Sequence, residues 1–192
     1  MRVLMIVAHP DDEVIFGFHD LLKNQVTVIC MTCGDNVVRK KEFFESMSLT
    51  GSTGHMLNYP DSNTDTWASI PVEDFYNNNI KNINKGAKYE LVISHCGDGE
   101  YGHKQHIRTH EIAKHAASEM GLPFQNFRDR YRASDFAMSM DKYNKWIAVY
   151  KSQGTSIDVL RNFFGKKTTE SKNGKVVEGI KPDRTLLTKQ IF

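Results

Sequence analysis

Every residue from Val3 to Ala8 is apolar. A strand with one wet face alternates polar and apolar residues. An unbroken run rich in Val and Ile belongs to a strand covered on both faces. The signature returns at residues 25–32 (QVTVICMT) and 90–94 (ELVIS), and a shorter strand is expected at 55–59. Helical spacing fills the intervals. Residues 13–22 place apolar side chains at 14, 15, 18, 21 and 22, and residues 39–49 place Phe43, Phe44 and Met47 on one face. Residues 71–83 begin with Pro71, which suits a first helical turn. Residues 105–120 read as a helix stopped by Gly121 and Pro123. Two further helices are expected at 142–150 and 157–164. Strands alternating with helices predict βαβ units, an α/β class and a mostly parallel sheet. At 192 residues the chain can build one good core. The expectation is a single domain over 1–165 and a polar tail over 166–192, ordered only in part.

Composition narrows the function. With 40% hydrophobic and 25% charged residues, the chain reads as soluble and globular. A net charge of +2 argues against nucleic acid or an acidic membrane surface as partner. The three cysteines, Cys30, Cys33 and Cys96, form no disulfide framework and suit the reducing cytoplasm. Cys30 and Cys33 have CxxC spacing, but no second pair accompanies them, so they read as a strand end. The apolar start is too short for a secretory signal, and no apolar run approaches the ~20 residues of a membrane span. A homo-oligomer is compatible with the sequence.

The first strand runs straight into His9, Pro10, Asp11, Asp12 and Glu13. Three adjacent carboxylates repel one another and lose solvation if buried. Such a cluster is either a solvated turn with a helix cap or the site of a cation. The stretch SHCGDGEYGHKQHIRTH follows the fourth strand. In open α/β sheets ligands bind at the carboxyl ends of strands, so both clusters share one sheet edge. That brings together His9, Asp11, Asp12, His103 and His106. Two imidazoles, a carboxylate and an open position describe a catalytic zinc site. Read alone, each cluster has a plainer account: a turn for the first, surface histidines at a helix start for the second. Their shared edge favours the cation. His110 reads as helix surface, Asp61 as a turn residue and Trp67 and Trp146 as packing. No G-x-G-x-x-G follows the first strand, which argues against a dinucleotide-binding module.

The pair AHPDDE and GEYGHKQH resembles the LmbE/PIG-L family of zinc-dependent de-N-acetylases, whose usual motifs are AHPDDE and GHPDH. Two further stretches are similar: TCGDNVVRKKE, with Arg39 and Glu42, and YKSQ at residues 150–153, near the family's His-x-Ser-Gln. The likeness covers residues 1–165. It implies a Rossmann-like three-layer αβα fold. It also implies His9, Asp12 and His106 as metal ligands and Asp11 as general base. His103 would stabilise the oxyanion or act as acid, and Tyr101 would assist. Arg39 and Asp61 are candidate substrate contacts. The implied cofactor is Zn2+, and Fe2+ fits the same donors. The chain departs from the family at Lys104-Gln105, where Pro-Asp is usual. Gln105 can accept a hydrogen bond from an imidazole, but without charge.

The implied activity is removal of an N-acetyl group from an N-acetylglucosamine-type amino sugar or glycoconjugate. The alternatives are a metallo-amidohydrolase for a non-sugar amide and a metal or sugar-binding module without turnover. Asp11 weighs against the last, since metal binding alone needs only the ligands.

Overall fold

A computed structural model describes residues 1–62, 67–83, 86–132, 138–154, 158, 166–172 and 175–181. Five strands form an all-parallel sheet in the order β3-β2-β1-β4-β5. They are β1 (Arg2–Val7), β2 (Gln25–Thr32), β3 (Thr53–Tyr59), β4 (Leu91–Ser94) and β5 (Phe124–Asn126). The central strand β1 shows why its sequence lacks alternation. Val3, Met5 and Val7 face one apolar core, while Leu4 and Ile6 face the other.

The first core is closed by α1 (Asp12–Ile15), α2 (Phe18–Lys23), α3 (Val37–Thr50) and α9 (Met140–Val149), with Phe18, Leu21, Phe43, Met47 and Trp146 buried in it. The second lies under α4 (Val72–Phe75), a π-helical turn (Tyr76–Ile80) and α7 (Lys104–Glu119). Phe75, Ile80, Ile112, Ala113 and Ala116 pack there with Trp67. Helices on both faces of a parallel sheet make a Rossmann-like three-layer α/β fold. Trp67 is fully buried and its indole N–H donates to the Pro60 carbonyl at 3.1 Å, so it is a packing residue.

The helix expected over 13–22 is two pieces, divided at Gly17, where continuing the helix costs about 1 kcal/mol. The helix expected over 71–83 is interrupted by the π-helical turn and ends in α5 (Lys81–Ile83). The turn contains three consecutive asparagines, poor helix formers, and Asn79 donates to the Tyr59 hydroxyl at 2.8 Å. β5 and the helix α8 (Phe127–Arg132) have no counterpart in the sequence reading. The helix expected over 157–164 lies outside the described residues, save residue 158. Within the stretch read as a polar tail, β7 (Lys166–Lys172) and β8 (Lys175–Lys181) pair antiparallel, and β8 also pairs with β6 (Met138–Ser139). No described helix is long and apolar enough to cross a membrane.

The strand order reverses between β1 and β4, and the crevice at their carboxyl ends is where an open sheet takes ligands. Gly34 shapes the neighbouring loop. Its N–H donates to the Leu57 carbonyl at 2.9 Å, and a Cβ on it would sit 2.7 Å from that same oxygen. Backbone in a strand cannot step aside as a side chain can. Gly34→Ala is therefore expected to destabilise the fold by about 1–3 kcal/mol, read as a lower urea midpoint. An unchanged midpoint would show that β3 yields freely.

Candidate active site

His9 to Asp12 lie in the turn between β1 and α1; His95 to His106 follow β4 and enter α7 through the short helix α6 (Gly99–Gly102). The structure brings ligand atoms of His9, Asp12 and His106 within 4.8 Å of one another, all three residues buried. Nδ1 of His9 is 3.3 Å from Asp12 Oδ2 and 3.3 Å from Nε2 of His106, which lies 3.5 Å from Asp12 Oδ1. A tetrahedral zinc with bonds of about 2.0–2.1 Å sets its ligand atoms about 3.3–3.4 Å apart. The two imidazole nitrogens stand at that spacing with one Asp12 oxygen near each, so the donor set fits the cation the sequence implies.

Each imidazole has its other nitrogen occupied. His9 Nε2 donates to Gln105 Oε1 at 2.6 Å, while the Gln105 amide donates to the Pro60 carbonyl at 2.8 Å. These two bonds fix which way the Gln105 amide points and leave His9 Nδ1 facing the cluster. Nδ1 of His106 donates to Glu100 Oε2 at 2.8 Å, leaving Nε2 free for the cluster. Burial pushes the His106 pKa down to about 4, which keeps the ring neutral. Asp12 is held well below the ordinary carboxylate range: burial opposes its charge, but the surrounding histidines outweigh it. Its Oδ2 also accepts the His9 N–H at 2.7 Å.

Asp11 stands beside this triangle. Its backbone has φ 128°, a conformation L-residues rarely adopt, and its N–H donates to Glu13 Oε2 at 2.9 Å. Arg39 lies across from it, 3.6 Å from Asp11 Oδ2. The guanidinium also donates to the Pro10 carbonyl at 2.7 Å and approaches Asp61 Oδ2 at 3.4 Å. Arg39 reaches this place because Asn36 caps α3, accepting from the N–H groups of Val38 and Arg39. Asp61 in turn lies 3.5 Å from Nε2 of His9. Asn63 and Asp65, polar residues of the same loop, lie outside the described residues.

His103 and Tyr101 line the opposite side. The His103 ring is 4.9 Å from His9 and 4.5 Å from His106, centroid to centroid. Its Nδ1 is buried with no hydrogen-bond partner among the described residues. Burial and the charge of His9 lower its pKa. The Tyr101 ring meets His106 edge-on at 5.4 Å yet is 62% exposed, which places it at the mouth. His110 does not reach the triangle; its Nδ1 donates to the His95 carbonyl at 2.8 Å.

Five buried residues near the site, Glu13, Glu42, His95, Glu100 and Tyr150, were not assigned a role from sequence. Glu13 accepts from Ser46 and Tyr150 as well as from Asp11, and burial lifts its pKa to about 7. Tyr150 thus ties the end of α9 to the first motif. Ser152 does the same for Glu42, donating from both N–H and hydroxyl at 2.8 and 2.6 Å. His95 stacks on His106 with centroids 3.9 Å apart, and Glu100 bridges the pair. The available signal for His95 was its position just past β4, matching that of His9 past β1.

The profile of the PIG-L family, described as GlcNAc-PI de-N-acetylase, matches residues 4–117. The chain is 32% identical over 121 residues to uncharacterised protein L374 of Acanthamoeba polyphaga mimivirus, covering 54% of this chain and 52% of that protein. It is 30% identical over 159 residues to the 1D-myo-inositol 2-acetamido-2-deoxy-alpha-D-glucopyranoside deacetylase of Corynebacterium diphtheriae, covering 64% and 54%. It is 25% identical over 142 residues to the N-acetylglucosaminyl-phosphatidylinositol de-N-acetylase of Bos taurus, covering 64% and 53%. The chain spans about half the length of these relatives. The family profile takes in β1, β4 and both polar loops that meet at their ends, and by that match the chain belongs to the PIG-L (LmbE-like) family.

Proposed function

We propose that the chain is a metal-dependent hydrolase that removes the N-acetyl group from an N-acetylglucosamine-type amino sugar. The observation that carries this reading is the buried triangle of His9, Asp12 and His106, with ligand atoms within 4.8 Å of one another and Asp11 beside it in the same turn. Zn2+ suits two imidazoles and a carboxylate with a position open, and Fe2+ is the second choice. When bound, the ion polarises the amide carbonyl and lowers the pKa of water from 15.7 to about 7.

The protein's own groups supply the rest. Asp11 takes the proton of the attacking water; Arg39 opposite, 3.6 Å away, holds its carboxylate in place. The buried, unpartnered Nδ1 of half-exposed His103 is the donor offered where oxyanion charge develops, and one good donor there is worth roughly 3–4 kcal/mol. The proton held by Asp11 passes to the leaving amine as the C–N bond breaks, and acetate and the free amino sugar leave. Tyr101 at the mouth covers the acyl end. Arg39 and Asp61, joined at 3.4 Å, offer a donor and an acceptor to sugar hydroxyls. The names of the Corynebacterium diphtheriae and Bos taurus relatives, both deacetylases of amino-sugar compounds, support the substrate class. Three free buried cysteines suit the cytoplasm.

The test is a paired assay of acetate release from the zinc-loaded protein. An N-acetylglucosamine glycoside is expected to be favoured over an N-acetylated amino acid by roughly 10²-fold or more in kcat/KM, because a site built for hydroxyls rejects substrates lacking them. Preference for the amino acid would overturn the sugar and leave the amidohydrolase. No turnover of either, with zinc bound, would overturn the enzyme reading.

A further inference from the structure

Glu100 occupies a place where its backbone is strained. Its φ of 62° and ψ of −57° lie in a sparsely populated, strained region for any residue but glycine. Glycines already flank it in the same loop, Gly99 at φ 65° and Gly102 at φ 87°. A glycine at position 100 would relieve the strain, so the side chain must serve a purpose that offsets it.

That side chain is 3% exposed and sits among three donors. Oε2 accepts from Nδ1 of His106 at 2.8 Å and from Nδ1 of His95 at 3.0 Å. Oε1 accepts the Cys96 N–H at 2.7 Å. On the far side of His95, Nε2 meets the Ala8 N–H at 3.1 Å and lies 3.3 Å from Asp12 Oδ2, while Nδ1 meets Glu100. Both stacked rings are thereby held with Nδ1–H towards one carboxylate. For His106 the consequence is direct: Nε2 keeps its lone pair and points at Asp12 and His9.

We propose that Glu100 is the positioning residue of the metal centre, fixing the tautomer and orientation of His106 directly and, by holding His95, the ring stacked against it. The two ligand imidazoles are then unequally supported. His9 rests on the neutral amide of Gln105, and His106 on a carboxylate. A charged acceptor raises the basicity of the ring it holds, so His106 is the stronger nitrogen donor of the two. Glu100 does not touch the substrate in this arrangement. Its effect passes through His106 and the His95 ring stacked on it. This inference rests on the metal-binding reading given above.

Glu100→Gln is the informative change. Glutamine keeps the shape but has one accepting oxygen for three donors, and its NH2 group opposes at least one N–H. The metal-free tautomer of His106 is read by long-range 1H–15N spectra of histidine-labelled protein. Zinc affinity is read by competition with a chromophoric chelator. In the wild type, His106 is expected as the Nδ1–H form. In Glu100→Gln a fraction is expected to move to Nε2–H, and zinc affinity is expected to fall about 10–100-fold. Glu100→Ala should fall at least as far. A merely structural role would lower the melting temperature of the metal-free variants while leaving tautomer and affinity alone, and that result overturns the proposal. A wild-type His106 in the Nε2–H form also overturns it, even if no variant folds. Should wild type bind no zinc, the metal reading fails, while the metal-free spectra still decide whether Glu100 sets the tautomer.

Discussion

Asp11→Asn is expected to cut turnover about 10²–10⁴-fold and to leave zinc bound. Asparagine fills the same volume and keeps a carbonyl oxygen towards Arg39, but it cannot take a proton from water at neutral pH. Asp11 is separate from the ligand triangle of His9, Asp12 and His106, so removing its charge removes no ligand. The backbone bond from Asp11 N–H to Glu13 survives the change, and so does the unusual φ, a conformation that asparagine tolerates better than most residues. The measurement is acetate release together with the zinc content of the purified variant. Near-normal turnover would make Asp11 a turn residue and return the first motif to its plainer account. Loss of zinc along with turnover would make it part of the ligand set.

His106→Ala is expected to abolish tight metal binding. The variant lacks one of the three proposed protein ligands, and the loss should exceed the roughly 10–100-fold that follows from removing an outer partner of a ligand. The substitution has a second consequence. It leaves Glu100 with two donors where it had three, and it empties the space against which His95 stacks. Some loss of fold stability is therefore expected in the metal-free protein, and its thermal melt should be recorded beside the chelator titration. If the affinity of His106→Ala equals that of wild type, the ion is not held by the triangle at the end of β1 and β4.

The elements that place this site were legible because their signals are local. A run such as Val3–Ala8 is apolar throughout because both faces of its strand are covered, and that pattern needs no knowledge of what covers them. β5 was not legible for the same reason: three residues, Phe-Gln-Asn, carry no period, and only the edge of β4 makes them a strand. The helix over residues 71–83 was legible in its extent but not in its π-helical turn, which depends on Tyr59 meeting Asn79.

The sequence by itself determined that two polar clusters meet at one sheet edge, and hence which residues could share a cation. Strand order completed the placement: β1 and β4 are neighbours in the sheet, so the two loops stand side by side at that edge. Tertiary structure alone decided how each ligand is held. Glu100 came to light only when a buried carboxylate was found facing two imidazoles, one of them six residues away in the chain. Tyr150 reaches Glu13 across 137 positions, and Ser152 reaches Glu42 across 110. Gln105 took its role from a Pro60 carbonyl that no spacing rule connects to it. The physical reason is the same in each case. Apolar burial is non-directional, so periodicity alone reveals it, but a buried polar group must find a partner of the right kind at the right distance. Which partner that is depends on chain segments far apart in sequence, and only the folded chain brings them together.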